Sequence, residues 1–177
     1  MGKYYAPSTV DVVGDLHNGL HVETSVYNCA TYWDGSAGPT QLELFNVYGR
    51  ILLLQLFCEM TIIQGGGATL IQFNATFSTP AVTVEPISAV TATVAALAVG
   101  SRVVWQGGDI TSTPTSTVLA DGGITDVFPV ARQIIGTVGG IGTIGHVPSV
   151  ADTASGSARA NCFYVPMSDG AYVTAAF

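Results

Sequence analysis

His17 and His21, four residues apart with Glu23 close behind, are the first residues in this chain whose types and spacing could do chemistry. On a helix, positions i and i+4 share a face, and two imidazoles beside a carboxylate would suit a divalent cation. Asn18-Gly19 lies between the histidines, however, and glycine weakens a helix, so ordinary surface histidines are expected. His146 stands alone in the apolar run IGTIGHV, which predicts a packed, hydrogen-bonded core residue rather than a general base. Asp121 and Asp126 flank a turn, Asp11 and Asp15 lie near the N-terminus, and no DxDxDG spacing for calcium occurs. Gly65–Gly67 and the run GTVGGIGTIG (Gly136–Gly145) invite a phosphate-loop reading. Neither is followed by the Lys-Ser/Thr of a P-loop or sits in a βαβ context, so turn and bulge glycine is the expectation. No GxSxG elbow is present. Cys29, Cys58 and Cys162 are widely spaced with no CxxC, which predicts buried free thiols. Asn74-Ala75-Thr76 matches the glycosylation pattern, and chance is the expected reason. These residues predict no enzyme, no cofactor and no metal.

The charge inventory points elsewhere. Hydrophobic residues make up 48% of the 177-residue chain and charged residues only 10%, less than half of what soluble domains usually carry. Lys3 is the only lysine, and a monomer of this size keeps more charge on its surface to stay soluble. The physical inference is that much of the exterior is covered by partner chains. A net charge of −7 argues against nucleic acid, which needs clustered Lys and Arg. Arg50, Arg102, Arg132 and Arg159 are scattered along the chain and form no stripe. The opening MGKYYAPSTV has no apolar core of a secretory leader, and no apolar run reaches the length of a membrane span.

The elements that would position these residues are organised around Gln41–Gln64, the longest apolar concentration. Gly49 interrupts it, Thr61-Ile62-Ile63 is β-branched, and Leu42 and Leu44 alternate with polar residues. One or two buried strands are expected, with a short Leu-rich helix as the alternative. The glycines at 65–67 and the alternating run Thr69–Phe77 then predict a hairpin with that stretch. Ala81–Glu85, Ser101–Gln106, Ile124–Val130, Gln133–Val138 and Ala171–Ala175 read as further short strands. Thr111–Thr117 reads as loop, and Ser88–Val99 is ambiguous among strand, helix and loop. Ile141–Val147 and Ala158–Val165 are expected to pair antiparallel around the loop Pro148–Ser157. In the second of these, Ala158, Ala160, Cys162 and Tyr164 share one face, and Arg159, Asn161, Phe163 and Val165 the other.

Many short strands, regular turns and no amphipathic helix predict an all-β fold, a β-sandwich or barrel of short antiparallel strands with an extended N-terminal arm. Residues 1–41 are the arm and 42–177 a single β-rich domain. His21–Tyr27 is the one candidate strand within the arm. Tyr4, Tyr5, Tyr27, Tyr32 and Trp33 are the candidate interface residues. Aromatics on an aperiodic, Gly-rich segment suit docking into a neighbour, and plugging the chain's own core is the equal alternative.

The C-terminal stretch Tyr164–Val173, YVPMSDGAYV, resembles the ending YVPLDDGAYV of a widespread set of tailed-bacteriophage virion proteins. The resemblance extends to Phe45–Met60 (FNVYGRILLLQLFCEM), to the alternating run Ala68–Phe77 and to Gly142-Thr143-Ile144 before the last hairpin. It covers about residues 42–177, and the loop Pro148–Ser157 is longer than the family pattern. The resemblance implies a structural component of the phage particle, foremost a capsid decoration (cement) protein. That would make its partners itself, as a homotrimer, and the major capsid protein, with neither nucleic acid nor membrane. Its place would be the outer capsid surface of the virion, after assembly in the host cytoplasm. A tail, head-to-tail joining or fibre component is the alternative, and a ligand-binding β-barrel or enzyme the second.

Overall fold

The computed structural model describes residues 19–32, 41–63, 65, 70–77, 83–91, 96–105, 115–117, 133–148 and 155–177. Strands β1 (Leu20–Glu23) and β2 (Tyr27–Asn28) lead into a one-turn helix α1 (Cys29–Tyr32). Strands β3 (Leu42–Tyr48), β4 (Ile51–Ile62), β5 (Ile71–Phe77), β6 (Thr83–Pro86), β7 (Arg102–Val104) and β8 (Thr115–Thr117) follow. Strands β9 (Gln133–Ile135), β10 (Ile141–Pro148), β11 (Ser157–Pro166) and β12 (Tyr172–Ala175) complete the order. The described strands form two antiparallel sheets. One runs β1-β11-β4-β7-β8, with β2 also on β11 and β9 also on β4; the other runs β12-β3-β10-β5-β6. The chain is all-β, as its turn and alternation pattern predicts.

The stretch 41–64 is two strands, not a helix, and they lie in opposite sheets. Gly49, at φ +74°, makes the crossing. A side chain there would meet the Ala171 Cβ and Ser168 Oγ at 2.9 Å, so only glycine fits without movement. From the β4 side, Ile51, Leu53, Leu56 and Met60 enter the core; from the other come Leu44, Val47, Phe73 and Ile144. All eight are at most 1% exposed, so the two inner faces share one dry core.

Two expected pairings are corrected. β5 does not form a hairpin with β4: it pairs with β10 and β6 in the other sheet. β10 does not pair with β11 either; β10 lies between β3 and β5, while β11 lies between β1 and β4. The physical reason is the same in both cases. Glycine and a polar loop show that the chain reverses, and a sandwich buries both strands' apolar faces by sending the second across the core rather than alongside.

Smaller differences follow the hydrogen bonding. Thr115–Thr117, read as loop, is an edge strand on β7. The segment after β6 continues beside β5 without regular structure: the Ile87 and Thr91 N–H groups donate to the Phe73 and Ile71 carbonyls, and side chains accept from the β5 N–H groups. The Phe73 N–H donates to Ser88 Oγ (3.0 Å) and the Ile71 N–H to Thr91 Oγ1 (2.8 Å). The face assignment in β11 holds: Ala158, Ala160, Cys162 and Tyr164 are buried in the core. Within the segment read as an arm, β1 and β2 pair with β11 and so extend that sheet, whereas residues 1–18 and 33–40 lie outside the described residues. The expected strand at 124–130 also lies outside them.

Candidate functional site

The C-terminal stretch Tyr164–Val173 is built as a corner that ties three turns together. Tyr164 is 4% exposed, and its hydroxyl accepts the Val173 N–H at 3.1 Å, joining the end of β11 to β12. Between them the Met167 N–H donates to the Arg50 carbonyl (2.8 Å), the Arg50 N–H to Ser168 Oγ (3.0 Å), and the Ala171 N–H to the Ser168 carbonyl (3.1 Å). The Gly49 N–H donates to the Gly140 carbonyl at 2.8 Å, which brings in the β9–β10 turn. Gly136, at φ +87°, lies so close to the Gly49 carbonyl that a Cβ would collide with it. The glycine run around 136–145 is thus a turn followed by close strand contact, as expected, and it presents no cradle for a phosphate.

One row of this corner faces outward. Tyr48 lies opposite both Tyr172 and Ile141 in its sheet. The two tyrosine rings stack with centroids 4.4 Å apart and planes at 16°. Tyr172 is 46% exposed and Ile141 55%, with Met167 and Val138 exposed nearby.

A second cluster crosses the outer face of the β4 sheet, where Arg159, Glu59 and Arg102 lie opposite one another on β11, β4 and β7. Arg102 Nε is 3.0 Å from Glu59 Oε2, and Arg159 reaches both Glu59 Oε1 (3.4 Å) and Glu23 Oε1 (3.1 Å). Above them, His21 stacks on Phe163 (4.4 Å), Phe163 on Phe57 (6.4 Å), and the Arg102 guanidinium lies 4.8 Å over the Phe57 ring. Two arginines that are 57 positions apart in sequence therefore share one carboxylate. Each charge has an opposite neighbour, and Asn161 and Phe57 are only 5% and 6% exposed. The arrangement pairs charges across four neighbouring strands, and exposed pairs of this kind contribute little each.

The residues first considered for chemistry are occupied elsewhere. His21 donates from Nε2 to Asn161 Oδ1 (2.9 Å), Glu23 pairs with Arg159, and His17 lies outside the described residues. Among the described residues, no group of three His, Cys, Asp or Glu side chains could hold a metal ion. His146 is fully buried, and burial lowers its imidazole to about 3, so it is neutral in the folded chain. Cys29, Cys58 and Cys162 are buried free thiols. Burial pushes Cys29 and Cys58 up to about 12 and raises Cys162 as well, which leaves no reactive thiolate. Asn74 is 6% exposed within β5, between β10 and β6, where a glycan has no room to attach.

Of the five candidate interface aromatics, the structure describes the surroundings of one. Tyr27 is 5% exposed, with its ring 5.7 Å from His146 and edge-on to Phe177 at 5.9 Å, so it packs within this chain. Tyr32 closes α1, and Tyr4, Tyr5 and Trp33 lie outside the described residues. Sequence reasoning missed Tyr48 and Tyr172, whose adjacency depends on the β3–β12 register. Tyr48 lies next to Gly49 and Tyr172 two positions after Gly170, which is the signal the sequence carries.

Comparison with protein-family models, with curated proteins and with solved structures gave no match to this chain.

Proposed function

We propose that this chain is a structural component of a tailed-bacteriophage particle, a capsid decoration protein that associates with itself as a homotrimer and with the major capsid protein. The observation that carries the reading is the mismatch between its exposed apolar side chains and its charge. Val26, Ile62, Ile63, Val99, Val138 and Ile141 are each more than half exposed, in a chain with only five Lys and Arg and twelve Asp and Glu. Such a surface is stable in water when other protein covers it. The resemblance of Tyr164–Val173 to phage virion proteins supports the same reading and supplies the kind of particle.

The mechanism is physical rather than chemical. Burying apolar area contributes about 25 cal/mol per Å2, and a repeated lattice multiplies each contact. A subunit that touches several capsid proteins at once gains avidity without a strong single contact. The test is to add purified protein back to expanded capsids that lack it and then challenge them with heat. Saturable binding to the shell with a raised disruption temperature is expected. Absence from heads, with recovery in isolated tails, would overturn the decoration assignment.

A further inference from the structure

Gly19, at the entry to β1, lies pressed onto the sheet. Its φ is +74°, and a side chain there would meet Leu54 Cδ1 at 2.6 Å and the Tyr164 carbonyl oxygen at 2.9 Å, so only glycine fits. Leu54 belongs to β4, which lies on the far side of β11 from β1. The chain therefore enters β1 against the backbone of β11 and in contact with a side chain of β4. An apolar strip starts at this point. Val165, Leu52 and Ile134 lie opposite one another on β11, β4 and β9. Their neighbours Tyr164, Ile51, Leu53 and Ile135 are buried in the core, so these three point outward, and Ile134 is 54% exposed.

We propose that this strip is the seat of residues 1–18 of the same chain, laid across it as an extended segment. Connectivity identifies the occupant. The segment joins the sheet at Gly19, beside Leu54 at the head of the strip, so its effective concentration there is on the order of millimolar. A separate molecule has to compete with a segment that is already tethered in place. The side chains match the surface as well. Between positions 10 and 17, Val10, Val12 and Leu16 fall on even positions, and Asp11, Asp15 and His17 on odd ones, with Val13 the exception. An extended backbone turns alternate residues to opposite sides, so the even side faces the strip and the odd side faces water. Residues 1–18 reach about 60 Å at most, against about 40 Å for the 12 residues of β4, so the segment is long enough to cross the strip.

Ile134 makes the proposal testable, because it is exposed and the native thiols are buried. Ile134→Cys in the full chain, labelled with a benzophenone maleimide and irradiated, should cross-link into residues 1–18 of its own chain. Mass spectrometry of the digest locates the link, and a denaturing gel shows whether the product keeps the mass of one chain. Adding Val12→Asp, on the even side, should lower the yield of that link about tenfold. Adding Val13→Asp, one position on, should leave the yield unchanged. Links only to other parts of the chain, links to a second chain, or no link at all overturn the proposal. Equal yields with Val12→Asp and Val13→Asp overturn it too. Capsid binding decides the particle reading separately: a chain that fails to bind capsids yet gives the expected link defeats that reading and leaves the seat of the segment standing.

Discussion

His146 shows how one residue reports on the whole core. Its imidazole is buried among the strands of both sheets and kept neutral, with its protonation held down to about 3 by loss of solvent. In the unfolded chain it takes up a proton near 6.5. Between those values the unfolded state binds the extra proton, so stability is full above about pH 6.5 and declines as pH falls towards 3. The slope is about 1.4 kcal/mol per pH unit from this group alone. Urea unfolding at pH 7 and pH 4.5 should therefore show a loss larger by about 2–3 kcal/mol in the parent chain than in His146→Gln. Parallel losses in the two proteins would show that the imidazole is already solvated. The thiols act in the opposite direction: Cys29 and Cys58, raised to about 12, favour folding fully below about 9 and lose that contribution as pH rises towards 12.

At the scale of elements, the corner around Gly49 decides how β3, β4 and β12 meet. The stretch Tyr164–Val173, singled out in sequence by its resemblance, acts as a clamp in structure. Its tyrosine hydroxyl, serine hydroxyl and left-handed Gly170 each close a backbone connection. Tyr164→Phe should cost about 1–2 kcal/mol by leaving the buried Val173 N–H without its acceptor. Gly49→Ala should cost about 1–3 kcal/mol, because it adds left-handed strain to the contacts with Ala171 and Ser168. Denaturant midpoints would check both, and a neutral Gly49→Ala would mean that the turn relaxes freely. Much of this level was legible beforehand. The period-two alternation in 158–165 fixes which side chains face inward, since a strand has only two faces. Strand partners were not legible, because a sheet neighbour and a strand across the core present the same alternation and the same glycine punctuation. That is why β4–β5 and β10–β11 were expected as pairs, and why the Arg102–Glu59–Arg159 row could not be foreseen.

At the scale of the whole molecule, composition and fold make the same demand. A sandwich hides one face of each sheet and leaves the other in water, where polar side chains ordinarily stand. Here the outward positions include Ile134, Ile141, Val84 and Tyr172, and four of the charged residues, Glu23, Glu59, Arg102 and Arg159, pair with one another across strands. The shortage of charge was legible from the sequence. The location of the apolar row was not, because Tyr48, Ile141 and Tyr172 are brought together by register across three strands. Sedimentation equilibrium of the full chain in dilute, neutral buffer tests the central claim most directly. The account predicts a species of about three times the 18.2 kDa chain mass. A single, soluble 18.2 kDa species at every concentration would contradict it.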